Sequence, residues 1–429
     1  MSGCGGDSDD TQSTTGHYIP FTATVSDTLN QTWISDGTVE GTQMVADFDS
    51  VNADYIYDAF YANGLWFMNV STTDFGRTLA VTDGTPEGTR IVDGERLTNL
   101  FPQHFFAFND LVFFNGTGTD DDRELWVTDG TAEGTQLFKN LATGNLTSDT
   151  PNKGTPAHFV SIGEQFVFAA YTAGTGTEPW VSDGTAEGTR MIKDISDEYY
   201  YGSNPYAFTA LQDKALFLSE GRTWVTDGTA EGTKLLTSNG PANPRDIISF
   251  AGKAIIKAND EQNWSYRGLW ITDGTAEGTQ RIPTNLSAAI NEWLVQDDTL
   301  YFTSNGQLYS YTEANGIETY PSDVSSIHSI AIAGDTLIFS ASVMAEVELY
   351  GLVEGGIIKL HDTSGDDKSG DPMDFVSVNG LAIFTAKDAD QGRELWVTDG
   401  QSAQLLKDIY EGSESSNPSW CGVSKSCFR

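Results

Sequence analysis

Basic residues are scarce in this chain: 23 Lys and Arg stand against 61 Asp and Glu over 429 residues, a formal net charge of −38. A surface of that sign repels phosphate groups before contact, which argues against nucleic acid and an anionic membrane face as partners. Long apolar runs are missing too. No stretch approaches the roughly 18–20 residues of a membrane span, and the chain opens on a polar segment where a secretion signal would be apolar. No helical periodicity of useful length is found. The chain has no Gly-x-Ser-x-Gly elbow, no phosphate-cradling glycine loop opening a helix and no His-Glu-x-x-His pair, so the common hydrolase, nucleotide and zinc-protease signatures are absent. What is present is apolar material for a core, 38% hydrophobic with 10 Trp, 16 Tyr and 23 Phe, so the acidity does not signal disorder.

Cysteine is confined to the two ends: Cys4, Cys421 and Cys427, with none from 5 to 420. That distribution suits an oxidising compartment. Cys421 and Cys427 flank Gly-Val-Ser-Lys-Ser, a separation a tight hairpin can close, and a Cys421–Cys427 disulfide is expected, with two free thiols as the alternative. Cys4, in Ser-Gly-Cys-Gly-Gly-Asp, is similar to the acylated cysteine of bacterial lipoproteins, the alternative being an adventitious thiol on a tail. Residues 1–17 then read as a disordered lipoprotein-type tether and 18–429 as a single domain.

Self-comparison finds one dominant unit, Glu124-Leu-Trp-Val-Thr-Asp-Gly-Thr-Ala-Glu-Gly-Thr135. Its Trp position recurs at Trp33, Ala80, Trp126, Trp180, Trp224, Trp270, Tyr309, Tyr350 and Trp396, a mean spacing of about 45 residues, which is the period of a four-stranded propeller blade. The third blade reads as strands over 104–109, 111–115, 124–128 and 135–140, with period-2 alternation. Asp-Gly-Thr-Ala-Glu-Gly becomes the hairpin loop between the third and fourth strands. Its glycines are expected to supply positive φ, its Asp to accept a backbone N–H, and its Thr hydroxyls to satisfy other groups. The Trp is expected in the core between blades. The Tyr309 and Tyr350 units lose the Asp-Gly, which predicts different loops there.

The first unit has an upstream strand at 19–26 but no room for a fourth. Asn417-Pro-Ser-Trp-Cys-Gly-Val423 resembles the approach to a first strand elsewhere, as in Asn204-Pro-Tyr-Ala-Phe208. The expected fold is an all-β closed propeller of nine blades, or eight if one weak unit is an insertion, with N- and C-terminal strands completing one blade.

Glu-Leu-Trp-Val-Thr-Asp-Gly, verbatim at 124–130 and 394–400, resembles the ELWxxDGT repeat family of bacterial envelope and secreted proteins, and the likeness runs from about residue 30 onward. The resemblance implies a propeller-like architecture outside the cytoplasm. It carries no established activity onto particular residues.

Two groups of residues offer chemistry. The repeat loops set Asp36, Asp83, Asp129, Asp183, Asp227, Asp273 and Asp399 in turns, the first six with a Glu four residues on, which raises a calcium reading. Two carboxylates fall short of the six to eight oxygens Ca²⁺ takes, and Asp as turn-former is the competing reading. Aligning the first strands brings Asp58, His104, His158, Asp246, Glu292 and Asp374 to one register at the channel mouth, with Ala207 in the same register and His328 within a residue of it. Imidazole with carboxylate suits a transition metal or a cationic ligand, against a solvated polar funnel; a metal site there would weaken below about pH 6 as imidazole takes a proton. The resulting expectation is a non-enzymatic lipoprotein of the cell envelope, lipid-anchored or secreted, binding a protein, glycan or divalent cation. The alternatives are a carbohydrate-active enzyme using channel-mouth carboxylates and a structural subunit of a surface assembly.

Overall fold

The computed structural model describes residues 18–420 except 27–28, 45–52, 86, 93–95, 119–121, 143–144, 148–149, 152, 197–201, 239, 261–262, 285, 287, 322, 345, 355 and 364–368. Cys4, Cys421, Cys427 and the 1–17 tether lie outside the described residues. Among the described residues there is no helix, and nine four-stranded antiparallel sheets follow one another along the chain, a nine-bladed β-propeller.

Blade 3 shows the pattern, with strands Gln103–Phe108, Leu111–Thr117, Arg123–Thr128 and Gln136–Lys139 paired in sequence order. Alternation fixes which side chains go inward, and Trp126 sits opposite Phe114. Blade 1 departs from sequence order as the ends require. The strand Ser419–Trp420 pairs with Ile19–Ser26, so the N- and C-terminal strands complete one blade.

Contacts divide the chain into two compact units, one of blades 2 to 6 and the other of blades 7, 8, 9 and 1. Inside each, a hydrophobic cluster joins each blade to the next. Trp126 packs with Phe67 and Leu79 of blade 2, and Trp180 with Phe113 and Leu125 of blade 3. In the second unit Trp33 packs with Ile383 and Leu395 of blade 9, and Trp396 with Ile338 of blade 8. The repeated Trp therefore faces back onto the preceding blade and is buried there, at 9% exposure for Trp126 and 4% for Trp396.

The loops are built almost alike in blades 1, 3, 4, 5 and 6. In blade 3, Asp129 Oδ1 accepts the Thr131 N–H at 2.8 Å and its hydroxyl at 2.7 Å. Thr131 Oγ1 accepts the Gly134 N–H at 3.0 Å, and Thr135 Oγ1 donates to the Thr131 carbonyl at 2.6 Å. These bonds hold Asp129 below the usual carboxylate range. The same Asp oxygen is used the same way at Asp36, Asp183, Asp227 and Asp273, while Asp399 accepts the Gln401 and Ser402 N–H groups. Asp as turn-former is the reading this geometry supports.

The two loop glycines differ, which corrects the expectation that both supply positive φ. Gly130 has φ +88°, a left-handed conformation. Gly134 has no such φ; a Cβ there would collide with the Asp129 carboxylate. Gly130→Ala and Gly134→Ala should each destabilise by about 1–3 kcal/mol, by strain in the first and by clash in the second. In an Asp129→Ala background the Gly134→Ala penalty should shrink and the Gly130→Ala penalty should persist, as read from urea melts of the six proteins.

Candidate functional site

The register shared by the first strands is a β-bulge. Pairing slips between Gln103 and Phe106, Ala157 and Val160, Tyr206 and Thr209, and Met373 and Val376. Within those slips His104, His158, Ala207 and Asp374 take φ of 56°, 60°, 53° and 55°. Left-handed backbone favours Asn, Asp and His among residues with a Cβ. The register therefore has a structural preference of its own for His and Asp, and that preference was not visible in the alignment of polar residues.

In the first unit three neighbouring blades place Asp58, His104 and His158, all partly buried. Asp58 accepts N–H bonds from Ala59 and His104, yet burial outweighs them and pushes its carboxyl up to about 6. The His104 and His158 rings lie 6.5 Å apart, centroid to centroid, with planes inclined by 32°. Burial, then the Arg123 charge, lowers His104; burial, then His104 itself, lowers His158 to about 4. Both imidazoles are neutral at pH 7. An ordinary imidazole is lost as a ligand below about pH 6, whereas His158 keeps its lone pair down to about pH 4. Its Nδ1 is buried without a hydrogen-bond partner.

The other residues of the register have contacts of their own, through the side chain at Asp246 and His328 and through the main chain at Asp374 and Glu292. Asp246 accepts the Ile247 N–H at 3.1 Å and lies 3.8 Å from Lys257 Nζ. In the second unit, the Asp374 carbonyl accepts the indole N–H of Trp420 at 2.5 Å, the Glu292 N–H meets Thr303 Oγ1 at 3.2 Å, and His328 Nε2 lies 2.6 Å from Ser342 Oγ. Among the described residues no three His, Cys, Asp or Glu side chains converge within reach of one metal ion.

Sequence reading missed a second set of carboxylates, the Glu of the Glu-x-Trp motif. Glu124, Glu178, Glu348 and Glu394 are 0–1% exposed. Glu178 accepts the N–H of Ile195 and both the N–H and hydroxyl of Ser203, at 3.0, 2.7 and 2.6 Å. Glu394 takes the N–H of Ile409 and the N–H and hydroxyl of Ser416, at 2.8, 2.7 and 2.6 Å. Glu348 takes Thr363 and Gly370 in the same manner, and Glu124 takes the Leu141 N–H. Each carboxylate clamps the chain leaving its blade. Burial raises Glu178 and Glu394, and pushes Glu124 up to about 7. A raised carboxyl often marks an acid catalyst, but here the backbone clamp accounts for the burial. The signal was available as Glu two residues before Trp or Tyr in four of the nine units.

No family model matches this chain, and no curated protein matches it. Similar solved structures include the computationally designed Ika8 protein, at 13% identity and TM-score 0.41, covering 79% of this chain and 98% of that one. Puromycin hydrolase is similar at 11% identity and TM-score 0.41, with 82% of this chain covering 60% of that one. The β-propeller domain of the Trilobed protease from Pyrococcus furiosus stands at 12% identity and TM-score 0.39, covering 72% and 97%. At TM-scores below 0.5 these likenesses assign neither fold nor function to this chain.

Proposed function

We propose that this chain is a non-catalytic binding module of the bacterial envelope, carried on a lipid at Cys4, with its ligand site on the first-strand row of Asp58, His104 and His158. The repeat's resemblance to the ELWxxDGT family supports the address. The observation that carries the site is the pair of neutral imidazoles 6.5 Å apart, one with a buried, unpartnered Nδ1. The two neutral imidazoles are two of the donors a divalent transition metal takes, the rest coming from water or from a protein or glycan partner. The non-catalytic part of the reading rests on Glu178 and Glu394, whose oxygens are engaged with backbone N–H groups and hydroxyls.

Calorimetry at pH 7 with Zn²⁺, Cu²⁺, Ni²⁺ and Ca²⁺ tests it. A transition metal should bind stoichiometrically to the parent chain, and His104→Ala/His158→Ala should lose that heat while unfolding at nearly the parent temperature. Equal binding in the double variant, or no heat from any ion, would refute the site.

A further inference from the structure

The repeat lapses at the seam between blades 7 and 8, within the second unit, and the lapse builds a depression of about 550 Å³ lined by Tyr301, Tyr320, Pro321, Leu352, Val353 and Gly356. Elsewhere the first loop glycine seats on the preceding blade: Gly130 meets Leu65 and Phe67, and Gly400 meets Thr336. Blade 8 has no such loop. Its third strand Glu346–Val353 turns directly into Gly356–His361.

Tyr301 stands where other blades place buried hydrocarbon, and Tyr320 where several of them do. Tyr301 pairs with the residue after the Trp position, as do Phe67, Phe113, Val167, Leu216, Ile255, Ile338 and Ile383. Those seven are at most 1% exposed, whereas Tyr301 is partly exposed. The Tyr320 N–H donates to the carbonyl before the Trp position, as do those of Val92, Ile192, Leu236 and Ile282, all buried. Tyr320 too is partly exposed, with its hydroxyl 3.0 Å from Ser310 Oγ.

A third change concerns charge. In three blades the residue after this position is a lysine that reaches the next blade's loop: Lys139 to the Ala186 carbonyl at 2.5 Å, Lys193 to Thr233 at 2.9 Å, and Lys407 to Thr42 at 3.3 Å. Blade 7 has the exposed Pro321 instead. Asp297, exposed on the blade 7 hairpin, is near enough to Tyr301 to help raise its phenol pKa after burial and Tyr320, and Glu354 is exposed on the blade 8 hairpin.

We propose that this depression is a binding site for an organic cation, an ammonium or guanidinium group set against the tyrosine faces where three other seams carry a lysine of the chain itself. Aromatic faces attract such cations, and the neighbouring carboxylates and the −38 net charge favour them over anions. The cation is either a free small molecule or a Lys or Arg side chain of a partner; the chemistry is shared. The site is independent of the His104 and His158 row.

Calorimetry on the full chain at low salt, with tetramethylammonium, butylguanidinium, a lysine-rich peptide and glucose as probes, decides it. The cations should bind in the millimolar range and glucose should not. Tyr301→Leu, which restores the aliphatic residue found in five of the other blades, should weaken binding at least tenfold. Pro321→Lys, a surface change that supplies an internal ammonium, should do the same without altering the melting temperature. A lysine-rich peptide binding tenfold tighter than the small cations would identify a partner side chain as the source; equal affinities would identify a free cation. Absence of binding by every cation, parent-like binding in both variants, or glucose binding more tightly than the cations would overturn the proposal.

Discussion

Deleting residues 415–429 should destabilise the second unit by on the order of 5 kcal/mol and broaden its unfolding. Three kinds of contact go at once. The strand Ser419–Trp420 leaves Ile19–Ser26 with an unpaired edge. Trp420 loses its edge-on contact with Phe21, at 5.4 Å between centroids, and its indole bond to Asp374. Ser416, fully buried, takes away the acceptor for the Thr24 N–H and two of the donors to Glu394. Each unsatisfied buried group costs roughly 1–3 kcal/mol, and a lost aromatic a similar amount. Circular dichroism melts with sizing chromatography check the outcome. A truncated chain that melts with the parent and elutes as a monomer would show that this strand does not hold the blade together.

Glu394→Ala should cost about 3–5 kcal/mol, among the largest effects of a single substitution, because two buried backbone N–H groups and one hydroxyl lose their acceptor together. Glu178→Ala, its counterpart in the other unit, should behave alike. Glu394→Gln should lose less, since one carbonyl oxygen remains. The pH dependence has a defined sign. A carboxyl whose folded pKa is raised holds its proton more tightly in the fold, so its contribution is fully present below the unfolded value of about 4.5 and declines as pH rises, toward 7 for Glu124. His104 and His158, lowered on folding, act in the opposite sense, and their contribution is lost as pH falls below 6.5, toward 4 for His158. Urea titrations of the parent and of Glu124→Gln at pH 4.5 and 7 should therefore differ in their pH slope, with the parent losing more stability toward pH 7.

The sequence by itself narrowed the blade count to nine or eight, because the strand before the loop recurs at the same spacing even in the Tyr309 and Tyr350 units, where the loop lapses. The Trp positions from 33 to 396 mark the third strands of all nine blades. It also determined how the ends meet, since blade 1 had too few residues upstream of Trp33. What it could not determine is anything that depends on which blade stands against which. The clamp formed by Glu394 joins residues 15 and 22 positions away, so the motif shows the acid but not its partners. The His104 and His158 register looked like a ligand pattern because the bulge that tolerates left-handed His and Asp is a property of strand pairing, absent from a string of residues. The Tyr301 depression lies still further from the sequence. Nothing in the sequence sets Tyr301 and Tyr320 apart; both are partly exposed and line the depression beside blade 8, which lacks the loop. Short-range hydrogen bonding is written along the chain, whereas burial is decided by neighbours that only the folded chain brings together.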